Sequence, residues 1–76
     1  MEKIKNIAMR IFGVAGAEVN DEMSPKNTGN WDSMNYLLFI AELEKEFGIT
    51  LDMDDVLSAK NLGDIKEALR VKGARL

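Results

Sequence analysis

Asp32 and Ser33 stand together at the point where a stretch of breaker residues gives way to an apolar-rich run. A serine at the start of a helix sits beside unpaired backbone N–H groups and the positive end of the helix dipole, where an attached phosphate is stabilised. No base lies close to Ser33 in sequence, so it is a poor nucleophile unaided. The pattern suits a hydroxyl that another enzyme modifies, with Asp32 placed to help position that enzyme's metal ion or its bound waters. Asp32 and Ser33 are also good N-cap residues, so the pair taken alone can equally be read as a helix cap.

Other chemistry is narrowed by what is missing. The chain has 76 residues, with no cysteine and no histidine. Disulfides, thiolate zinc sites, imidazole bases and Ser-His pairs are therefore excluded. Asp52, Asp54 and Asp55 resemble a cation site only superficially. Val56 and Leu57 follow where a calcium loop needs spaced ligands, a central glycine and a closing glutamate. Those acids favour a helix start instead. Thirteen acidic against ten basic residues give a net charge of −3, which disfavours binding to phosphate backbones and favours a basic protein partner. Lys66, Arg70, Lys72 and Arg75 place positive charge at the end of the last helix, where the dipole welcomes it. No apolar run is long enough to span a bilayer. The start, Met1-Glu2-Lys3-Ile4-Lys5, lacks a signal-peptide apolar segment. The expected compartment is the cytoplasm, and the expected state a monomer, since no heptad seam appears.

These residues need elements to hold them. Ile4, Ile7, Ala8, Ile11 and Val14 recur at helical spacing, predicting a first helix over about 2–14. A long loop follows to Trp31, with turn chemistry at Asn20-Asp21-Glu22, Ser24-Pro25 and Asn27-Thr28-Gly29-Asn30, and with Val19 and Met23 as its anchors. The second helix starts at Asp32-Ser33 and closes at Gly48. A short third helix is expected over 53–58. Asn61, with Asp64 three residues on, caps a fourth. On that helix Leu62, Ile65, Ala68, Leu69 and Lys72 share a face, and Gly73 ends it. The expected fold is all-α: one domain over 1–76, a small four-helix bundle of three main helices and one short one.

The second helix carries two apolar stripes. Phe39, Ile40, Leu43 and Phe47 lie on one side, with Tyr36 between them. Met34, Leu37, Leu38 and Ala41 lie nearly opposite. One stripe suffices for a core. The second is either covered by the bundle or left as a docking surface for partners, which the adaptable Met34 side chain would suit. Trp31 is expected to pack against the bundle.

Several segments in order resemble the acyl carrier proteins. Asn30-Trp31-Asp32-Ser33-Met34 is similar to their Asp-Ser-Leu attachment motif, with Met for Leu. Leu43-Glu44-Lys45-Glu46-Phe47-Gly48-Ile49 resembles their Leu-Glu-x-x-Phe-Gly-Ile stretch. Asn61-Leu62-Gly63-Asp64-Ile65 resembles the start of their last helix. The likeness runs from about Lys3 to Val71. It implies a non-catalytic carrier whose Ser33 receives a 4'-phosphopantetheine arm from a phosphopantetheinyl transferase. The arm would hold acyl or aminoacyl groups as thioesters for acyl- or aminoacyl-activating and acyl-transferring enzymes. In carriers of fatty acids the group can fold back into the bundle interior, and Phe39, Ile40, Ile49, Leu51, Leu57, Leu62, Ile65 and Leu69 are the candidates to line such a space here, whose opening the sequence does not decide. The fatty-acid carriers have acids soon after the serine. Here Asn35 and Leu38 stand there, and the first acids are Glu42, Glu44 and Glu46. That difference points to a dedicated carrier read through Met34, Leu37 and Leu38. The alternative from another class is a helical interaction domain with no prosthetic group, using the same stripe for a partner helix.

Overall fold

The structure, a computed structural model, describes residues 2–75. In chain order it has α1 (Glu2–Phe12), a single 3-10 turn (Gly16–Glu18), α2 (Ser33–Phe47), α3 (Met53–Ser58) and α4 (Leu62–Val71). No strand occurs among the described residues. This is the expected all-α arrangement of three main helices, one short helix and a long first loop.

α1 stops two residues earlier than the spacing predicted. Gly13 takes φ +65°, and its N–H donates to the Met9 carbonyl at 2.9 Å. That left-handed step suits glycine and ends the helix. Val14 therefore reaches the core from the loop and is only partly buried, while Phe12 occupies the deep position at the helix end. Ile4, Ile7 and Ala8 complete the buried face of α1. Exposed ion pairs tie this helix to α2, Lys3 with Glu46 at 3.3 Å and Arg10 with Glu42 at 3.1 Å. Such pairs contribute little to stability, but they align the two helices.

Phe39, Ile40 and Leu43 of α2 are buried against Leu51, Val56, Leu62, Ile65 and Leu69. Phe47 and Ile49 pack partly buried at the rim. At one end four rings meet. Phe12 stacks on Trp31 with centroids 4.8 Å apart, Phe39 tilts against Phe12 at 5.0 Å, and Tyr36 stacks on Trp31 at 5.7 Å. Each such pair adds about 0.5–1.5 kcal/mol beyond its buried area. Trp31 is buried, as expected. Leu57 departs from expectation: it faces outward at 75% exposure, and Val56 is the buried residue of α3. Six residues give too little length for a periodicity to choose between neighbours. Lys72 also departs. It is exposed at the end of α4 and pairs with Asp52 at 2.8 Å, while Ala74 beyond Gly73 is buried instead.

Met23 anchors the loop in the core and Val19 packs partly buried, both as expected. The loop is laid on α4. The N–H groups of Leu62 and Gly63 donate to the carbonyls of Met23 and Asp21, each at 2.9 Å, and Lys66 pairs with Asp21 at 2.7 Å. Gly63 permits this approach, because a Cβ there would lie 3.2 Å from the Asp21 carbonyl oxygen.

Candidate functional site

The loop is the platform for Ser33. Its end is a chain of side-chain to backbone bonds. Asn27 spans the turn, accepting from the Ser24 N–H at 3.0 Å and donating to the Glu22 carbonyl at 3.0 Å. Trp31 N–H donates to Thr28 at 3.1 Å. Asn30 donates to the last carbonyl of α1, that of Phe12, at 3.0 Å, and Asn35 donates back to the Asn30 carbonyl at 2.9 Å. Asparagine is well suited to such local bonding. Beneath it the buried Trp31 fixes the height of the chain just before α2.

Asp32 is the cap. Its backbone is extended, and its Oδ1 accepts the Asn35 N–H at 2.8 Å, while its carbonyl accepts that of Tyr36 at 2.8 Å. The capping reading of the pair thus applies to Asp32 alone. Ser33 is the first helical residue, is exposed, and is left out of the cap. Among the described residues the N–H groups of Ser33 and Met34 have no partner. Two unpartnered donors therefore remain at the positive end of the 15-residue helix on which the serine sits.

A groove of about 370 Å³ runs beside Ser33, walled by Pro25, Asp32, Tyr36, Val56, Leu57 and Ala59 with Trp31 at its floor. Tyr36 crosses it and donates its hydroxyl to the Val56 carbonyl at 2.6 Å. Burial pushes the Tyr36 phenol above its ordinary value, so it remains the protonated donor. A phosphodiester on Ser33 fits these surroundings: the hydroxyl is accessible, two N–H donors lie beside it, and an apolar trough leads away. No cluster of side chains suited to hold a metal ion occurs among the described residues. Asp52 is at the N-cap of α3 and pairs with Lys72, and Asp54 and Asp55 lie in the first turn of that helix.

The second apolar stripe of α2 is uncovered. Met34 is 73% exposed, Leu37 56% and Leu38 50%, and Ala41 is exposed beside them. The acids of α2 are all engaged elsewhere. Glu42 and Glu46 pair with α1, and Glu44 accepts the Leu51 N–H at 2.7 Å, holding the link to α3. Sequence reasoning missed these internal roles. The spacing from Glu42 to Glu46 places them on the helix side nearest α1, but only the packing names their partners. It also missed Tyr36 as the tie between α2 and α3, since a lone tyrosine on a core face gives no sign of its acceptor.

Comparison with known proteins agrees with this geometry. Residues 2–69 match the family described as the phosphopantetheine attachment site. Acyl carrier proteins from two strains of Nitratidesulfovibrio vulgaris, DP4 and Hildenborough, are each 35% identical over 68 residues, covering 90% of this chain and 86% of theirs. A Mycobacterium tuberculosis protein assigned as an acyl carrier protein superimposes with a TM-score of 0.81 at 26% identity, covering 92% of this chain and 93% of that one. No described helix is long and apolar enough to cross a membrane. By sequence and by shape alike, the chain belongs to the phosphopantetheine-binding acyl carrier family, carriers that bear a covalent 4'-phosphopantetheine arm and are not enzymes.

Proposed function

We propose that Ser33 is the residue that carries the arm, and that partner enzymes read the uncharged face of Met34, Leu37, Leu38 and Ala41. The observation that carries the first part is the start of α2: an exposed serine hydroxyl outside the cap, with the unpartnered N–H groups of Ser33 and Met34 beside it. Those donors and the helix dipole stabilise a phosphate on Ser33. Asp32 holds the first turn through Oδ1. Its remaining oxygen is available to a divalent ion brought by a phosphopantetheinyl transferase with coenzyme A. Attached there, the arm supplies a terminal thiol that holds an acyl or aminoacyl group as a thioester. The chain itself fixes the arm's point of departure and presents a surface for docking.

The exposure of Met34, Leu37 and Leu38, together with the engagement of Glu42, Glu44 and Glu46 within the fold, supports the second part. A carrier steered by charge needs free acids near its serine. This one offers apolar area and an adaptable methionine. It is therefore suited to dedicated activating and transferring enzymes with an apolar seat for α2.

The test is intact-protein mass after incubation with coenzyme A, magnesium and a broad-specificity transferase. The parent chain gains a single phosphopantetheine and Ser33→Ala gains none. Addition to Ser33→Ala would place the arm elsewhere. For the docking face, Leu37→Glu combined with Leu38→Glu lowers the rate of transfer from a cognate loading enzyme about tenfold or more, as expected for loss of about 1.4 kcal/mol of contact. The fold stays intact, because both side chains are already exposed. Unchanged transfer would remove this face from the interface.

A further inference from the structure

We infer that this carrier keeps its cargo outside the bundle, because Trp31 and Tyr36 shut the path from Ser33 to the core. Its thioesters are then those of short or polar acyl groups, which partners meet directly in solvent. The inference rests on the carrier reading above.

Any cargo entering the bundle from Ser33 must pass the groove beside it, whose floor is Trp31 and whose sides include Tyr36 and Val56. That floor is closed by packing. Trp31 is 7% exposed and lies flat on Phe12, with an interplanar angle of 5°. Tyr36 stacks on its other flank and Phe39 tilts toward it at 6.3 Å. An alkyl chain therefore meets three rings packed on Trp31, and close-packed interiors lack slack for an added chain. Swinging Trp31 aside breaks its contacts with all three other rings, and moving Tyr36 breaks its stack on Trp31.

The side wall is tied as well. Val56 lies in the last turn of a six-residue helix, so its carbonyl has no partner within that helix. Tyr36 supplies one at 2.6 Å, joining α2 to α3 across the groove. Parting the two helices to admit cargo leaves a carbonyl beside apolar surroundings without its donor, which is costly. Leu57, the neighbouring residue that an interior chamber would need as lining, points outward instead. A second groove, of about 540 Å³, lies between the loop and the link from α3 to α4, but Glu22, Ser24, Lys26, Lys60 and Asn61 line it, so an alkyl chain there meets charged and polar side chains.

The experiment compares an acetyl with an octanoyl group. The protein is incubated with a broad-specificity transferase and either acetyl- or octanoyl-coenzyme A, and intact mass is measured. Failure of both to add counts against the carrier reading itself. With both attached, hydroxylamine cleavage of each protein thioester is timed against the same acyl-pantetheine free in solution. A thioester hidden for part of the time reacts in proportion to its exposed fraction. The expected ratio is therefore within about twofold of unity for both acyl groups. Protection of the octanoyl form by about tenfold or more, with the acetyl form unprotected, would overturn the inference. The emission of Trp31, the only indole in the chain, is expected to be the same in both forms, and a shift in the octanoyl form alone would likewise count against closure. Tyr36→Ala removes the tie and one ring of the stack. Provided circular dichroism shows it folded, octanoyl protection is expected to rise above that of the parent, and no rise would remove Tyr36 from the closure.

Discussion

α2 and α4 begin with the same device and put it to different use. Each has an Asx side chain at the N-cap that accepts the N–H three residues on, Asp32 from Asn35 and Asn61 from Asp64. In each the cap carbonyl then takes the fourth N–H. The difference lies in the first two N–H groups. In α4, Leu62 and Gly63 donate to the carbonyls of Met23 and Asp21, so the helix end is spent holding the long loop. In α2, Ser33 and Met34 donate to nothing among the described residues. One helix start is structural and the other is kept open. A helix terminus with unspent donors is a place for an anion, and α2 is where the exposed serine sits.

Removing the caps separates the two roles. Asn61→Ala takes away the bond to Asp64 and loosens the turn on which Met23 and Asp21 rest. Its expected cost is about 2 kcal/mol, at the upper end for caps, read as a lowered midpoint in urea. Asp64 adds its own link there, since its carboxylate accepts the Lys60 N–H at 2.9 Å. That contact differs from the reciprocal capping box expected from the sequence, because it falls one residue before the cap. Asp32→Ala removes an equivalent bond from a start that supports no loop, so about 1 kcal/mol is expected. If the two variants cost the same, the loop's docking on α4 contributes nothing extra and the contrast is only one of chemistry.

Much of this arrangement was legible in the residues because termini announce themselves. Asp32, Gly48, Asn61 and Gly73 fix the ends of α2 and α4, and the breaker-rich segment from Asn20 to Asn30 marks the loop. Ser33 stood out as the candidate for modification chiefly through its place in an ordered set of motifs. What was hidden depends on which element comes to lie beside which. Glu42 and Glu46 were visible as acids, but their pairing with Lys3 and Arg10 follows from how α1 lies along α2. Phe12 replaces Val14 in the deep core because α1 ends at Gly13. Whether the second stripe of α2 is covered is a question of bundle layout that one helical wheel leaves undetermined, and here it is uncovered.

Ser33→Ala is expected to have the smallest effect on stability, and for that reason it sharpens the contrast most. Ser33 is exposed, it is not the cap, and alanine is the better helix former at the first helical position. A change within about 0.5 kcal/mol of the parent is expected in urea, as for other surface substitutions. Were Ser33 part of the cap, alanine would instead cost about 1 kcal/mol. A loss of that size would mean that the hydroxyl is spent on the fold, as the donors of α4 are, and that the start of α2 is less open than its geometry indicates. A stability unchanged beside a complete loss of arm attachment would show a serine that the fold positions and does not use.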